Sequence, residues 1–308
     1  MRIDGRNLGA NNVDRIASPP VVSRFAPSPN GPLHLGHAYS ALSAWEIARR
    51  YVGRCLLRIE DIDVARSRSE HVAGIFDDLR WLGLTWDEPV LRQSEHFSVY
   101  QAAAERLRQM QLLYRCFATR AEITAGAMTD ICDPEGAPIY SRQHSQMSGA
   151  EQAARMERGE LFAWRLDMAR ACDIARAKRG GQALTFTELH DDGRHEIVMA
   201  RPELWGDAVI VRKELPTSYH LSVVVDDARQ GVTHVTRGRD LYAATDLQRL
   251  LQVLLDLPEP IYCHHRLIVN DDGRKLAKSE GSRALADLRL QGETSADVVQ
   301  RLGFNLSV

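Results

Sequence analysis

The chain has 308 residues, of which 44% are hydrophobic and 26% are charged, so it can bury a core in one to three domains. Its net charge of −2 argues against a globally basic nucleic-acid binder, although a local basic face stays open. No apolar run approaches the roughly 18 residues that a membrane span needs.

The first 20 residues and the cysteines indicate the cellular compartment. Residues 1–20 lack the apolar stretch of a signal peptide, and we expect them to form a flexible tail. The five cysteines are an odd number without a CxxC pair, which favours reduced thiols. We therefore expect a cytoplasmic protein without a membrane partner, and a monomer because no dimer seam is visible.

The elements after the tail predict a parallel sheet. Val21–Phe25 and Arg54–Glu60 are β-prone runs, and Leu35–Arg50 between them has the apolar period of a helix. A strand, a helix and a second strand in this order form a βαβ unit. We expect an α/β fold whose sheet domain has its first half in residues 21–115.

The remaining chain is expected to return to this domain after an insertion. Residues 116–204 are irregular and are interpreted as an inserted subdomain. The second half of the sheet domain is expected in residues 205–264, and a loop with a short C-terminal helical segment in residues 265–308. Helices are predicted over Ser67–Leu82, Ser94–Tyr114 and Ala243–Leu255, with the turn-rich link LGLTWDEP after the first, and strands over Asp207–Lys213, His220–Asp227 and His265–Asn270.

The segment RFAPSPNGPLHLGH, from Arg24 to His37, has features of a phosphate site. His34 and His37 flank Gly36 where a loop enters the predicted helix. The start of a helix attracts phosphate, and glycine lets a base or a phosphate approach the backbone closely. Two imidazoles can donate hydrogen bonds to phosphate oxygens in the transition state. We expect all three residues to bind ATP and both histidines to be catalytic.

The segment KLAKS, from Lys275 to Ser279, complements the first one. Lys275 and Lys278 lie on a polar loop and can neutralise pyrophosphate as it leaves. We expect both lysines to be catalytic, with Lys278 and Ser279 binding ATP. Either segment alone is a weak signal, but together they predict a site that transfers the adenylyl group of ATP.

These segments resemble the H-I-G-H and K-M-S-K-S signatures of class I aminoacyl-tRNA synthetases, most closely in the glutamate branch. The resemblance runs from about Val21 to Ser279 and includes LRIEDIDVARS, YHLSVVVDD and THVTRGRDL in the family's order. Leu276 and Ala277 replace the family's Met and Ser. The resemblance implies a Rossmann-like catalytic domain that forms an aminoacyl-adenylate from ATP with Mg²⁺ and transfers the acyl group to RNA.

A glutamate pocket needs two cationic anchors and one anionic anchor. Arg24 and Arg237 can each bind a carboxylate with two hydrogen bonds, and Glu60 can take the ammonium. The family's motifs, carried over to this sequence, imply a glutamate pocket formed by Arg24, Ala26, Ser28, Glu60, Tyr219 and Arg237.

Two acidic clusters have two interpretations each. Asp61 with Asp63, and Asp226 with Asp227, follow or end predicted strands. They can position ribose hydroxyls or Mg²⁺, and they can equally cap a following helix.

Similar enzymes often hold zinc in the insertion with Cys-x-Cys and then a Tyr and a Cys four residues later. Here Ala118 and His144 occupy two of those four positions. Cys116, Tyr140 and His144 are too few good ligands for a closed tetrahedral site, and Cys132 does not have the family's spacing. We expect a zinc-free insertion.

The short stretch of chain after Ser279 suggests the acceptor. Glutamyl-tRNA synthetases continue into helical domains that read the anticodon, whereas the sequence given has 29 residues after Ser279. It resembles the glutamyl-queuosine tRNA(Asp) synthetases, which activate glutamate without tRNA. They attach it to the cyclopentenediol of queuosine at the wobble position of tRNA(Asp). The resemblance implies L-glutamate, ATP and the tRNA(Asp) anticodon stem-loop as partners.

Three other functions stay open. A truncated glutamyl-tRNA synthetase would charge the 3′ end of tRNA(Glu). A small-molecule nucleotidyltransferase shares the HxGH site but should lack the arginine and glutamate anchors. A non-catalytic RNA-binding relic would not need the intact histidines and lysines. The basic stretch from Arg165 to Arg179 suits either RNA phosphates or a solvated helix face.

Overall fold

The computed structural model describes residues 20–126, 131–140, 147–268 and 283–305. The KLAKS segment and His144 lie outside these ranges. Within them every helix is too short or too polar to span a bilayer.

The described residues form ten strands and ten helices, with three short 3₁₀ turns. The strands are Val22–Phe25 (β1), Arg54–Ile59 (β2), Asp87–Arg92 (β3), Leu113–Cys116 (β4), Ala163–Leu166 (β5), Thr185–Leu189 (β6), His195–Met199 (β7), Val209–Val211 (β8), His234–Gly238 (β9) and Ile261–His265 (β10). The helices are Leu35–Arg50 (α1), Ser69–Trp81 (α2), Phe97–Gln109 (α3), Arg120–Gly126 (α4), Gly149–Glu157 (α5), Met168–Lys178 (α6), Tyr219–Arg229 (α7), Ala244–Leu254 (α8), Leu285–Leu290 (α9) and Ser295–Arg301 (α10).

A parallel sheet region confirms the predicted α/β fold. Strands β1, β2 and β3 pair in parallel, and so do β9, β10 and β6. The two groups meet where β1 lies beside β9, because Thr233 N donates to Val22 O (2.9 Å) and Val22 N donates to Thr233 Oγ1 (2.8 Å). The carboxyl ends of these strands therefore face the same edge, where ligands bind in such sheets.

Helix α1 has the bounds predicted from the sequence. Its small buried residues, among them Ala38, Ala41 and Ala44, let the helix pack closely on β1 and β9. His34 caps its first turn, and this places the helix N-terminus at the carboxyl edge of the sheet.

Strand pairing crosses the predicted boundary at residue 204. Strands β4, β5 and β8 form an antiparallel sheet, although β8 lies after residue 204. Strand β6 lies before residue 204 but pairs in parallel with β10. The division into domains stays a prediction, since no separate observation delimits the insertion.

The prediction of a strand over His220–Asp227 is wrong. The segment is helix α7, which begins after Ser218, and Ser218 Oγ accepts from Leu221 N (3.4 Å). Seven of its residues are buried, so the helix contacts the core on nearly every side. A helix buried all round lacks an amphipathic period, and its three consecutive valines favour a strand by propensity alone.

Three other predicted elements differ from the structure. The last three residues of the link LGLTWDEP, Asp87 to Pro89, already belong to β3. This strand is a half-exposed edge strand, and its acidic residues and proline are unfavourable for a strand by propensity. The last strand is Ile261–His265 rather than His265–Asn270. The helix predicted over Ser94–Tyr114 ends at Gln109, and Leu113 already belongs to β4.

The C-terminal helices confirm the predicted helical segment. Leu285 of α9 and Val298 of α10 are fully buried in the apolar cluster around α1. Leu285 N also donates to Leu33 O (2.8 Å), and Ala284 forms a bridge with His34. The end of the described chain is therefore fixed next to the HLGH segment.

Candidate active site

A cavity of about 540 Å³ opens at the carboxyl edge of the parallel sheet. The ends of β1, β2, β9 and β10 and the first residues of α1 and α7 form its walls. Within the described ranges, all residues predicted to be catalytic or to bind ATP or glutamate line it: Arg24, Ala26, Ser28, His34, Gly36, His37, Glu60, Tyr219 and Arg237. Lys275, Lys278 and Ser279 lie outside those ranges.

The two histidines of HLGH form a capping box at the start of α1. His34 Nδ1 accepts from Gly36 N (3.1 Å), and His37 Nδ1 accepts from His34 N (3.2 Å). The neutral rings therefore carry their protons on Nε2, which is the donor that a phosphate oxygen requires. An added Cβ at Gly36 would lie 3.1 Å from His34 Cε1, so glycine leaves room for this ring.

Four buried charged side chains hold the wall formed by β1 and β2. Asp227 Oδ1 accepts from Arg24 Nε (3.0 Å) and from Arg58 Nη1 (2.7 Å). Arg58 Nη2 also donates to Glu60 Oε1 (3.2 Å), and Arg58 is completely buried. Burial opposes ionisation of Asp227, but the two guanidinium groups hold its pKa below the usual range.

Glu60 keeps a carboxylate at the cavity with a shifted pKa. Its side chain is 8% exposed, and burial raises its pKa above the usual value despite the opposing effect of Arg58 and Arg24. The positive charges of Arg58 and Arg24 therefore compensate the carboxylate of Glu60 only in part. This carboxylate suits an incoming ammonium group, which is the role predicted for it.

Arg237 has a different set of partners. Its guanidinium donates to His264 Nε2 (3.1 Å), Gln248 Oε1 (2.7 Å) and Thr245 Oγ1 (2.8 Å), and it lies 5.3 Å from the ring centre of Tyr262. Among the described residues no carboxylate pairs with it directly. A buried guanidinium with only neutral partners suits an anionic ligand.

The remaining predicted pocket residues lie between these anchors. Tyr219 is the first residue of α7, and burial raises the pKa of its hydroxyl. Ala26 and Ser28 follow β1 in the loop that leads to HLGH. All three line the cavity, as the anchors do.

Three of the four acids in the acidic clusters have structural partners away from the cavity. Asp226 accepts from Tyr100 Oη (2.7 Å) and Gln93 Nε2 (2.9 Å), which ties α7 to α3. Asp61 accepts from Ser94 N (2.8 Å) at a 3₁₀ turn, and Asp63 forms a surface pair with a neighbouring arginine. Asp227, described above, is the member that organises the site.

Sequence reasoning missed Arg58, His264 and His265. Arg58 lies in the middle of a buried strand, and a charge at such a position signals a buried partner. His265 lines the cavity and its Nε2 is 2.9 Å from Ser40 Oγ, while burial lowers its pKa. The consecutive histidines in IYCHH were the available signal for both of these residues.

The described residues contain no group of three side chains that could hold a metal ion. ATP chemistry in this kind of site usually involves Mg²⁺, and among the described residues the carboxylates that line the cavity are Glu60 and Asp240. Mg²⁺ commonly binds to nucleotide phosphates with few protein ligands, so the residues fit a Mg²⁺ that enters with ATP.

The described residues at the expected zinc position, Cys116 and Tyr140, do not fit a metal. Tyr140 hydrogen-bonds to Cys116, and the guanidinium of Arg165 lies 4.4 Å from the ring centre of Tyr140. Arg165 also donates to Asp207 O (2.7 Å). A fixed cation at this point repels Zn²⁺, and Ala118 supplies no ligand.

Part of the basic stretch has partners within the protein. Arg165 holds Asp207 and Tyr140, as described above. Lys178 forms a salt bridge with Asp256 (2.7 Å) and donates to Leu254 O (3.0 Å). These contacts favour a structural role for both side chains over contact with RNA.

Comparison with known proteins gives consistent matches. The family model described as tRNA synthetases class I (E and Q), catalytic domain, matches residues 20–304. The glutamyl-Q tRNA(Asp) synthetase of Rhodobacter capsulatus is 46% identical over 290 residues, 92% of this chain and 100% of that protein. The glutamate–tRNA ligase of Parasynechococcus marenigrum is 38% identical over 293 residues, 92% of this chain and 58% of that protein.

Solved structures show the same fold. A glutamate tRNA ligase from Elizabethkingia meningosepticum, crystallised with its amino acid, is 26% identical with a TM-score of 0.65 over 85% of this chain and 52% of that chain. The methionyl-tRNA synthetase of Mycobacterium tuberculosis bound by methionyl-adenylate is 14% identical with a TM-score of 0.56 over 92% of this chain and 64% of that chain. The second likeness concerns the fold alone.

Proposed function

The chain belongs to the class I tRNA synthetases for glutamate and glutamine, and we propose that it activates glutamate without tRNA and then glutamylates queuosine in tRNA(Asp). Membership makes it a ligase that uses ATP, glutamate and tRNA. The absence of any tRNA requirement and the acceptor base are our proposals.

The arrangement around the cavity supports glutamate as the amino acid. Glu60 offers a carboxylate to the ammonium, and Arg237 offers a guanidinium that has no direct carboxylate partner among the described residues. Arg24 supplies the second guanidinium, held in place by Asp227 (3.0 Å). An uncharged side chain such as that of glutamine would leave a buried guanidinium without its anion.

The adenylyl transfer is proposed to occur at the start of α1. A carboxylate oxygen of glutamate attacks the α-phosphorus of ATP, the bond to the β-phosphate oxygen breaks, and pyrophosphate leaves. The Nε2–H groups of His34 and His37 donate to the phosphate oxygens as charge develops. Lys275 and Lys278 are proposed to neutralise the leaving pyrophosphate. Mg²⁺ bound to the phosphates would screen their charge.

The acceptor proposal is supported by sequence identity. Identity with the glutamyl-Q tRNA(Asp) synthetase of Rhodobacter capsulatus is 46%, against 38% with the glutamate–tRNA ligase of Parasynechococcus marenigrum. Queuosine carries a cis-diol on a five-membered ring, as does the ribose at a tRNA 3′ end. One hydroxyl of that diol can attack the carbonyl carbon of glutamyl-adenylate and release AMP in either case.

The deciding assay measures transfer of radiolabelled glutamate to RNA. We expect tRNA(Asp) that contains queuosine to be labelled, and tRNA(Asp) that lacks it to stay unlabelled, because only the modified base presents a cis-diol at the wobble position. Equal labelling of both forms would contradict the proposal. Labelling of tRNA(Glu) would favour an enzyme that charges the 3′ end.

Activation is tested separately by ATP–pyrophosphate exchange. We expect exchange with glutamate and no RNA, and we expect Lys278→Ala to reduce it by about two orders of magnitude or more, because a cation on the leaving group is lost. The Lys213→Ala variant serves as a control, since Lys213 donates to Phe117 O (2.7 Å) outside the cavity. Normal exchange in Lys278→Ala would remove that lysine from the mechanism.

A further inference from the structure

Three neighbouring strands carry Arg237, His264 and Glu188 in a row behind the cavity. Arg237 on β9 and His264 on β10 are paired in the strand register, and Glu188 lies on β6, the next strand. All three side chains are buried. The cavity is lined by Arg237 but not by His264 or Glu188, and the hydrogen bond from Arg237 to His264 links these two residues to the site.

The hydrogen bonds fix the protonation of His264. Arg237 Nε can only donate, so His264 Nε2, 3.1 Å away, must accept and carries no proton. The ring proton is then on Nδ1, which donates to Glu188 Oε2 (2.8 Å). Glu188 Oε1 accepts from His264 N (3.0 Å), so both carboxylate oxygens hold the same histidine.

In this row the neutral ring of His264 lies between the positive charge of Arg237 and the negative charge of Glu188. A carboxylate directly on Arg237 would occupy the guanidinium and compete with an anionic substrate. Three of the five N–H groups of Arg237 donate to His264, Gln248 and Thr245. Two N–H groups remain, as many as a bidentate carboxylate contact requires.

We propose that Glu188 and His264 are positioning residues that orient Arg237 toward a carboxylate of the amino acid. Glu188 sets the tautomer of His264, and His264 holds the guanidinium while leaving it without an ionic partner. This inference rests on the proposed glutamate-activating function.

The test is the effect of Glu188→Gln on ATP–pyrophosphate exchange by the full chain. The amide of the variant places its NH₂ group, a donor, against an N–H group of His264, which is also a donor. This contact disturbs the ring tautomer in which His264 Nε2 accepts from Arg237. We expect the KM for glutamate to rise about tenfold or more, with the KM for ATP and the kcat at saturating glutamate changed by no more than about threefold.

Two variants of His264 separate positioning from folding. Gln at position 264 keeps one acceptor and one donor, so His264→Gln should keep the KM for glutamate within about threefold of the wild type. His264→Leu removes both and should raise it about tenfold or more. These two variants of His264 test the positioning role even if Glu188→Gln does not fold.

Gln252→Leu is the matched control for lost stability. Gln252 is buried on α8 and donates to Tyr262 Oη (2.8 Å), whereas the hydrogen-bond partners of Arg237 are His264, Gln248 and Thr245. Its variant should lower the Tm and leave the KM for glutamate unchanged. A lowered Tm with an unchanged KM for glutamate in Glu188→Gln and His264→Leu would overturn the positioning role. No exchange with glutamate in the wild type would instead refute the proposed function.

Discussion

At the residue scale, the site depends on charges that the protein compensates only in part. Asp227 is shared by Arg24 and Arg58, whereas Glu60 shares Arg58 with that aspartate. Arg58 is thus the centre of the cluster although it was not predicted from the sequence. Buried charges of this kind need several partners, and their removal commonly costs several kcal/mol.

The shifted pKa of Glu60 predicts a pH dependence of glutamate binding. Because burial raises its pKa, Glu60 takes up a proton at a higher pH than an exposed glutamate, and the protonated form cannot pair with an ammonium group. We expect the KM for glutamate in pyrophosphate exchange to rise as the pH falls, beginning at pH values above those at which an exposed glutamate takes up its proton. Arg24, Arg58, Asp227 and Tyr219 are the other titratable groups that face this carboxyl.

The effect of protonating Glu60 on stability is opposite to its effect on glutamate binding, because protonation weakens binding but raises the free energy of unfolding. A folded-state pKa above the unfolded value means that the native state holds the proton more tightly, so protonation of Glu60 adds stability as the pH falls.

Glu60→Gln should bind glutamate weakly and lose most of the pH dependence of KM. The partly exposed Glu46→Gln on α1 is the control, and parallel pH profiles of Glu60→Gln and the wild type would contradict the assignment.

At the element scale, the short helix α9 holds the HLGH segment in place. Leu285 is fully buried against the cluster around α1, while Leu290 on the same helix is 85% exposed. Leucine-to-alanine substitutions at these two positions therefore compare a buried and an exposed side chain on the same helix. Leu285 N also bonds to Leu33 O, so the helix and the start of α1 are fixed to each other.

We expect Leu285→Ala to lower the free energy of unfolding by about 2–5 kcal/mol, because it leaves a cavity in a closed cluster. Leu290→Ala should change it by less than about 0.5 kcal/mol. Urea denaturation followed by circular dichroism measures both. Equal effects of the two variants would show that α9 does not pack as described.

The sequence predicts elements well where local pattern and packing agree. Helix α1 has a capping histidine and an apolar stripe, and both its bounds were predicted. Helix α7 shows the opposite case, since its valines favour a strand by propensity, whereas the segment is a helix that is capped by Ser218 and buried on nearly every side. Motif comparison nevertheless placed Tyr219, which directly precedes the segment predicted as a strand, among the expected pocket residues, and Tyr219 lines the cavity. Arg58 and His264 were missed because their roles depend on partners far away in sequence.

At the scale of the whole molecule, two large apolar clusters and the buried charges account for cohesion. One cluster surrounds α7 and α8, and the other surrounds α1 and includes α9 and α10. Within the described ranges no candidate metal group adds to them. The guanidinium of Arg165 lies 4.4 Å from the ring centre of Tyr140, one of the residues at the expected zinc position.

We therefore expect the Tm of the protein to be independent of zinc. Thermal unfolding with and without EDTA should give the same Tm, because we expect no structural metal to couple to folding. Elemental analysis of the purified protein should find far less than one zinc per chain. A Tm that falls with EDTA and recovers with added Zn²⁺ would contradict this expectation.

The shared carboxylate of Asp227 also has a consequence for biosynthesis. It lies 203 residues after Arg24 and 169 residues after Arg58 in the sequence. A growing chain makes both arginines early and their common partner late. Because contacts at such separation form only after long loops close, an N-terminal fragment ending before residue 227 would hold Arg24 and Arg58 without the aspartate that they share. The ribosome must therefore finish most of the polypeptide before the amino-acid pocket can exist.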